Sequence, residues 1–124
     1  MKKYFILLSI LLYCTLFLSD STLAANPTKI KIGISGCPRC CGESRVRDIG
    51  IMGSAKGWTV YFGGHSGFKS RQGEQVATGL TSEQALACVR SLLSYYKAHA
   101  EPKERSSKFI ERVGAEWIGG LGKE

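Results

Sequence analysis

Apolar and polar residues alternate at the start of the chain's globular part: Ile30, Ile32 and Ile34 interleave with Lys29, Lys31 and Gly33. A period of two sends successive side chains to opposite faces, so residues 29–34 predict a half-buried strand. Residues 48–52 and 58–62, rich in β-branched and aromatic side chains, predict a second and a third strand. Between them residues 53–57 carry two glycines and read as a hairpin-type connection. Residues 41–47 predict a short helical turn, and residues 75–77 a short edge strand.

The period then changes. Thr81 is placed to cap a helix, with Gln84 three residues on completing a capping box. Ala85, Leu86, Val89, Leu92, Leu93 and Tyr96 follow as one apolar stripe at helical spacing. Pro102 is expected to open a last helix carrying Phe109, Ile110, Val113 and Trp117 on one face. This order predicts an α+β domain, a small antiparallel or mixed sheet with two C-terminal helices packed on one face.

The first residues follow another rule. Met1-Lys2-Lys3 precede an apolar run over residues 4–18, and Thr22-Leu23-Ala24 closes it with small residues. That three-part layout predicts a secretory leader over residues 1–24, with a membrane tether through residues 4–18 as the alternative. The run is shorter than the roughly 20 residues of a spanning helix. The organisation expected is therefore a leader (1–24), one domain (25–118) and a glycine-containing tail (119–124). An exported or membrane-tethered location follows, and a cytoplasmic one if the leader does not function.

Charge narrows the partners only slightly. The whole chain carries 17 basic and 10 acidic residues, net +7. Removing Lys2, Lys3 and Asp20 with the leader leaves 15 and 9, net +6. The bases are scattered, with no long run, which argues against a nucleic-acid surface; a solvated basic face is the default, with anionic lipid or a polycarboxylate cofactor as the partners it would suit.

The cysteines change the picture more. Cys14 lies in the leader; Cys37, Cys40, Cys41 and Cys88 remain. Three within five residues suit metal or cluster ligation better than disulfides, although an exported protein invites the latter. Cys37-Pro38-Arg39-Cys40 has the spacing of a thiol–disulfide pair, while Cys37 and Cys41 have a C-x3-C spacing used in iron–sulfur sites. Cys88 falls beside the helical stripe and reads as a small core residue. His65 reads as an ordinary loop histidine.

Ser35-Gly36-Cys37, three residues, Cys41, six residues and then Asp48-Ile49-Gly50-Ile51 together resemble the signature of the siroheme and 4Fe-4S domain of nitrite and sulfite reductases. The likeness runs on through Gly57-Trp58, Tyr61-Phe62-Gly63-Gly64, the Lys69/Arg71 loop and the stretch from Glu104-Arg105 to Trp117. It implies an α+β fold of that kind, a 4Fe-4S cluster and siroheme. By position it implies Cys37 and Cys41 as cluster ligands, with the Cys41 sulfur bridging to the siroheme iron. Soft thiolates suit iron in both of its oxidation states. Siroheme is a polycarboxylate, so Arg45, Lys69 and Arg71 are candidates to hold its edge. Gly63 and Gly64 are expected to let backbone approach the ring, and N–H groups around Gly36 and Gly42 to tune the sulfurs.

The chain departs from the family in lacking an upstream C-x5-C pair. Cys40 or Cys88 could be recruited, a second chain or a homodimer could supply two further thiolates, or the fold persists without the activity. An electron-donor protein is the other partner expected. The competing readings are an exported thiol–disulfide or metal-binding protein using Cys37 and Cys40, and a degenerate, non-catalytic domain.

Overall fold

The computed structural model describes residues 28–121. The leader expected over residues 1–24 lies outside them, as does the end of the tail, residues 122–124. Four strands form one sheet in the order β1 (Ile32–Ser35), β2 (Ile49–Ser54), β3 (Gly57–Phe62) and β4 (Glu74–Leu80). β1 runs parallel to β2, with Ile32 opposite Ile49 and Ser35 opposite Met52. The other two pairings are antiparallel. The sheet is mixed and the class α+β, as the pattern predicts. β4 is longer than the edge strand expected over residues 75–77.

Three helices follow: α1 (Ser82–His99), α2 (Ser106–Val113) and the single turn α3 (Ile118–Leu121). The capping box forms as anticipated. The Gln84 N–H donates to Thr81 Oγ1 at 3.3 Å, and the Thr81 N–H to Gln84 Oε1 at 3.0 Å. Two orphan donors of the first turn are thereby satisfied. Ala85, Val89, Leu92 and Tyr96 are buried on the inner stripe together with Cys88, whereas Leu86 stays largely exposed.

The last helix is shorter than expected and starts later. Pro102 and Lys103 lie in a turn closed by the Glu104 N–H on the Glu101 carbonyl, with Lys103 at φ +62°. That left-handed residue delays helical geometry until Ser106. Gly114, at φ +82°, ends α2 before Trp117, so the face read as continuous from Phe109 to Trp117 is split in two. Trp117 still returns to the core, stacked on Tyr95 with ring centroids 4.2 Å apart. α3 occupies part of the stretch read as tail, and its Ile118 is buried.

The core lies between the helices and one face of the sheet. Ile49, Val60 and Phe62 meet Val89, Leu92, Tyr96, Phe109 and Ile110 there. Phe62 presents edges or faces to Tyr96, Phe109 and Trp117 at 5.9–6.4 Å, the geometry that aromatic quadrupoles favour.

β1 reverses the expected sense of its alternation. Gly33 and Ser35 are buried, while Ile32 and Ile34 are 51% and 61% exposed. The reason lies on the far side of the sheet, where the connection from β1 to β2 folds back over the strand. A Cβ on Gly33 would meet Arg47 Cγ at 2.7 Å and the Gly42 carbonyl oxygen at 2.9 Å. The isoleucines share the helix-side face with Ile49 and Ile51 but stay largely exposed there. Ile34 lines a shallow apolar groove of about 220 Å³ with Ile51, Trp58, Ser82, Ala85 and Leu86. Among the described residues no helix is long and apolar enough to cross a membrane.

Candidate functional site

The connection between the parallel strands β1 and β2 carries Cys37, Cys40 and Cys41, and it rests on the sheet face opposite the helices. Glycines allow this close approach. Ideal Cβ atoms on Gly42 and Gly50 would lie 2.2 Å from the Ile34 carbonyl oxygen and 1.8 Å from that of Ser44. No side chain fits at either contact, so backbone packs directly on backbone.

Within this loop the three cysteines differ. The Cys40 N–H donates to the Cys37 carbonyl at 3.2 Å, closing a turn, and the Glu43 N–H donates to the Cys40 carbonyl at 2.9 Å. A 3-10 turn over Ser44–Val46 follows, as anticipated for residues 41–47. Cys37 and Cys41 are exposed thiols, while Cys40 is half-buried. Cys40 Sγ lies 3.3 Å from Ser44 Oγ and accepts the Arg45 N–H at 3.5 Å. Hydrogen bonding to Ser44 pulls the Cys40 thiol below its ordinary range; burial opposes this, and the Arg45 N–H adds to it. Cys88 is remote from this loop, in the core, where burial pushes its thiol up.

Ser44 and Ser35, both buried, continue the network. Ser44 Oγ and Ser35 Oγ are hydrogen-bonded at 3.0 Å, and Ser35 Oγ accepts the Gly42 N–H at 3.1 Å. The Gly42 N–H, expected to face a cysteine sulfur, is therefore committed to a serine. Composition alone did not single out these serines. Their signal was positional: hydroxyls at the two ends of a cysteine loop.

The basic candidates separate. Arg45 and the loop of residues 63–73 come together, because the Gly73 N–H donates to the Arg45 carbonyl at 2.7 Å. The Arg45 guanidinium carbon sits 5.9 Å from the centre of the Tyr61 ring, a cation–π distance. Its Nε is one of two buried side-chain polar atoms without a hydrogen-bond partner among the described residues. Lys69 is exposed near the loop tip, beside a fully exposed Phe68.

Arg71 is engaged elsewhere. Its Nη1 donates to Glu111 Oε1 at 3.1 Å and the Ser107 carbonyl at 3.3 Å, and its Nη2 to Glu74 Oε1 at 3.1 Å. His65 and Arg71 exchange backbone hydrogen bonds at 2.8 and 2.9 Å, which closes the loop. Gly63 and Gly64 meet protein on the side where a Cβ would stand. It would contact Ile110 at 3.0 Å from Gly63, and the Arg47 carbonyl oxygen at 2.5 Å from Gly64. Packing within the domain already explains both glycines.

Asp48, also missed as a working residue, anchors the frame around the site. It is buried at the entrance to β2, where Oδ2 accepts the Lys31 N–H at 2.9 Å and Oδ1 accepts the Ser106 hydroxyl. Its carbonyl accepts the Gly63 N–H at 2.8 Å. One residue thus ties the approach to β1, the start of α2 and the basic loop together.

Among the described residues no three His, Cys, Asp or Glu side chains converge as a metal-holding group. The donor set on the loop is two exposed thiols.

Comparison with known proteins gives the family. The model of the nitrite and sulphite reductase 4Fe-4S domain matches residues 15–120, beginning inside the stretch expected as a leader. An assimilatory-type sulfite reductase of Nitratidesulfovibrio vulgaris is 45% identical over 92 residues, covering 74% of this chain and 42% of that protein. The NAD(P)H nitrite reductase of Bacillus subtilis is 40% identical over 89 residues, 72% of this chain and 11% of that one. The NADH nitrite reductase large subunit of Escherichia coli is 31% identical over 88 residues, 71% and 10% respectively. The chain spans less than half the length of these relatives. With a family match over most of its residues, the chain belongs to the nitrite and sulphite reductase 4Fe-4S domain family.

Proposed function

We propose that the chain contributes one cysteine pair, Cys37 and Cys41, to a 4Fe-4S cluster in an assembly that reduces sulfite or nitrite with siroheme. Family membership implies an iron–sulfur cluster. The observation that carries the reading is the placement of both thiols, exposed and four residues apart, on a loop pinned to the sheet within the matched span. Two such thiols fit half of a four-thiolate donor set. The other half comes from a second chain, and electrons come from a donor protein.

When bound, the cluster and siroheme would supply one-electron transfer to the substrate. The chain's own residues bind and orient. Cys37 and Cys41 would hold the cluster as thiolates, Cys41 being the one expected to serve siroheme as well. Arg45, stacked over Tyr61, and the exposed Lys69 would hold ring carboxylates. Arg71 braces the basic loop against α2 and β4 through its two glutamates.

Among the described residues β1 is an edge strand, which constrains how a second copy could complete the site. Strands paired antiparallel through that edge run in opposite directions, so each cysteine loop, following its own β1, stands at the opposite end of the joined pair. Four strand residues separate those ends by about 13 Å. A second copy paired in this way therefore does not bring its own Cys37 and Cys41 beside those of the first.

The test is anaerobic production of the full chain with siroheme synthesis active, alone and with candidate partner chains. Iron content, visible spectrum and reoxidation by sulfite or nitrite are recorded. A brown species that loses its spectrum in both Cys37→Ser and Cys41→Ser is expected. A colourless, iron-free protein in every combination would overturn cofactor binding.

A further inference from the structure

Cys40 holds a backbone conformation that side chains avoid, at φ +59°, in the left-handed region where glycine sits without strain. Residues persist in such regions when their surroundings over-determine them, commonly beside functional groups. Here the surroundings act on the sulfur, which contacts Ser44 Oγ and accepts the Arg45 N–H.

We propose that Cys40 is a positioning residue for the two ligand thiols, an internal strut that sets where Cys37 and Cys41 stand on the loop. Its N–H holds the Cys37 carbonyl on one side. On the other, its sulfur joins a chain through Ser44 and Ser35 to the Gly42 N–H, immediately after Cys41. Ser35 is the last residue of β1, so the chain ends on the sheet. Cys40 thereby links the carbonyl of one ligand residue and the flank of the other to one rigid element. The inference rests on Cys37 and Cys41 being the ligands of the proposed function. It assigns the third cysteine neither to iron nor to a disulfide.

Three full-chain variants separate the possibilities. Cys40→Ser retains a hydrogen-bonding atom, Cys40→Ala retains the strain without one, and Cys40→Gly removes both. The first readout needs no iron: iodoacetamide labelling rates at Cys37 and Cys41, followed by peptide mass spectrometry, with urea unfolding to confirm that each variant is folded. Cys40→Gly should be folded yet alter the ratio of the two rates at least threefold, and Cys40→Ser should restore most of the wild-type ratio. The second readout is the electron paramagnetic resonance signal of the reduced cluster in the loaded assembly. It should change in Cys40→Gly and return toward wild type in Cys40→Ser.

Wild-type labelling rates in Cys40→Gly would overturn the proposal. So would loss of iron in Cys40→Ser with unchanged labelling, which would make Cys40 a ligand. A Cys37–Cys40 disulfide, seen as a two-hydrogen mass loss that forms and reverses in a glutathione redox buffer, would also overturn it in favour of thiol exchange. If no version holds iron, wild type included, the cluster reading fails and the labelling rates alone decide whether Cys40 shapes the loop.

Discussion

Substituting Gly42 by alanine tests directly whether the cysteine loop is pressed onto β1. The new methyl would stand 2.2 Å from the Ile34 carbonyl oxygen and 3.0 Å from Ser35 Oγ. Van der Waals contact of a Cβ begins near 3.4 Å, so loop and strand must part by more than about 1 Å. Overpacking of this kind costs about 1–3 kcal/mol. Separation also breaks the Gly42 N–H bond to Ser35, worth about 0.5–1.5 kcal/mol. Together these give about 2–4 kcal/mol. With about 1 kcal/mol per molar urea for a domain of this size, the unfolding midpoint should fall by about 2–4 M. Fluorescence of Trp58 and Trp117 reports the transition. Gly36→Ala is the control: its Cβ meets nothing within 4 Å, so its midpoint should move by no more than about 0.5 M. If Gly42→Ala keeps the wild-type midpoint, the loop does not rest on β1, and contact with that strand is not what positions Cys41.

Asp48 should distinguish loss of charge from loss of hydrogen bonds. Asp48→Asn can still accept the Lys31 N–H and donate to the Ser106 hydroxyl, so it should cost about 1 kcal/mol; Asp48→Ala orphans both donors and should cost about 2–4 kcal/mol in urea unfolding. Glu104 gives a pH signature. The Arg112 guanidinium, bonded to both carboxylate oxygens at 2.7–2.8 Å, holds its carboxyl below the ordinary range, with burial opposing. A depressed folded-state pKa stabilises the fold fully above the ordinary carboxylate range, near pH 4, and that contribution is lost as pH falls through the lowered value. The difference in Tm between wild type and Glu104→Gln should therefore be present at neutral pH and disappear in acid; a difference that grows on acidification would refute the assignment.

Much of the architecture was legible because local chemistry and tertiary packing agree. Thr81 and Gln84 carry their capping box in the sequence, and the tight turn before Gly57 needs the left-handed freedom its glycine provides. Trp58–Phe62 could only be a strand against an apolar partner. Failures came where a long-range contact decides. Ile32 and Ile34 look like a core face, yet the cysteine loop claims the other side of β1 through Gly33 and Ser35, and no periodicity encodes which side a loop covers. Pro102 signals a helix start, but Lys103 breaks the geometry and Ser106 begins α2, where its hydroxyl finds Asp48 58 residues away. At the site, spacing and family resemblance singled out Cys37 and Cys41, which the structure places as exposed thiols on one loop. The inward sulfur of Cys40 was not, because a left-handed cysteine has no one-dimensional signature. Arg71 counted in the sequence as a free base; Glu74 is near it in the chain, but only folding brings Glu111 to it.

The central claim, that this chain holds half of a four-thiolate site, is tested most directly by native mass spectrometry after anaerobic loading with iron and sulfide. The full chain is measured with and without candidate partner chains. Four-iron species should appear only in assemblies of two or more chains, and vanish from them with Cys37→Ser or Cys41→Ser. A single chain carrying four irons and four sulfides, or a cluster that survives both substitutions, would contradict it.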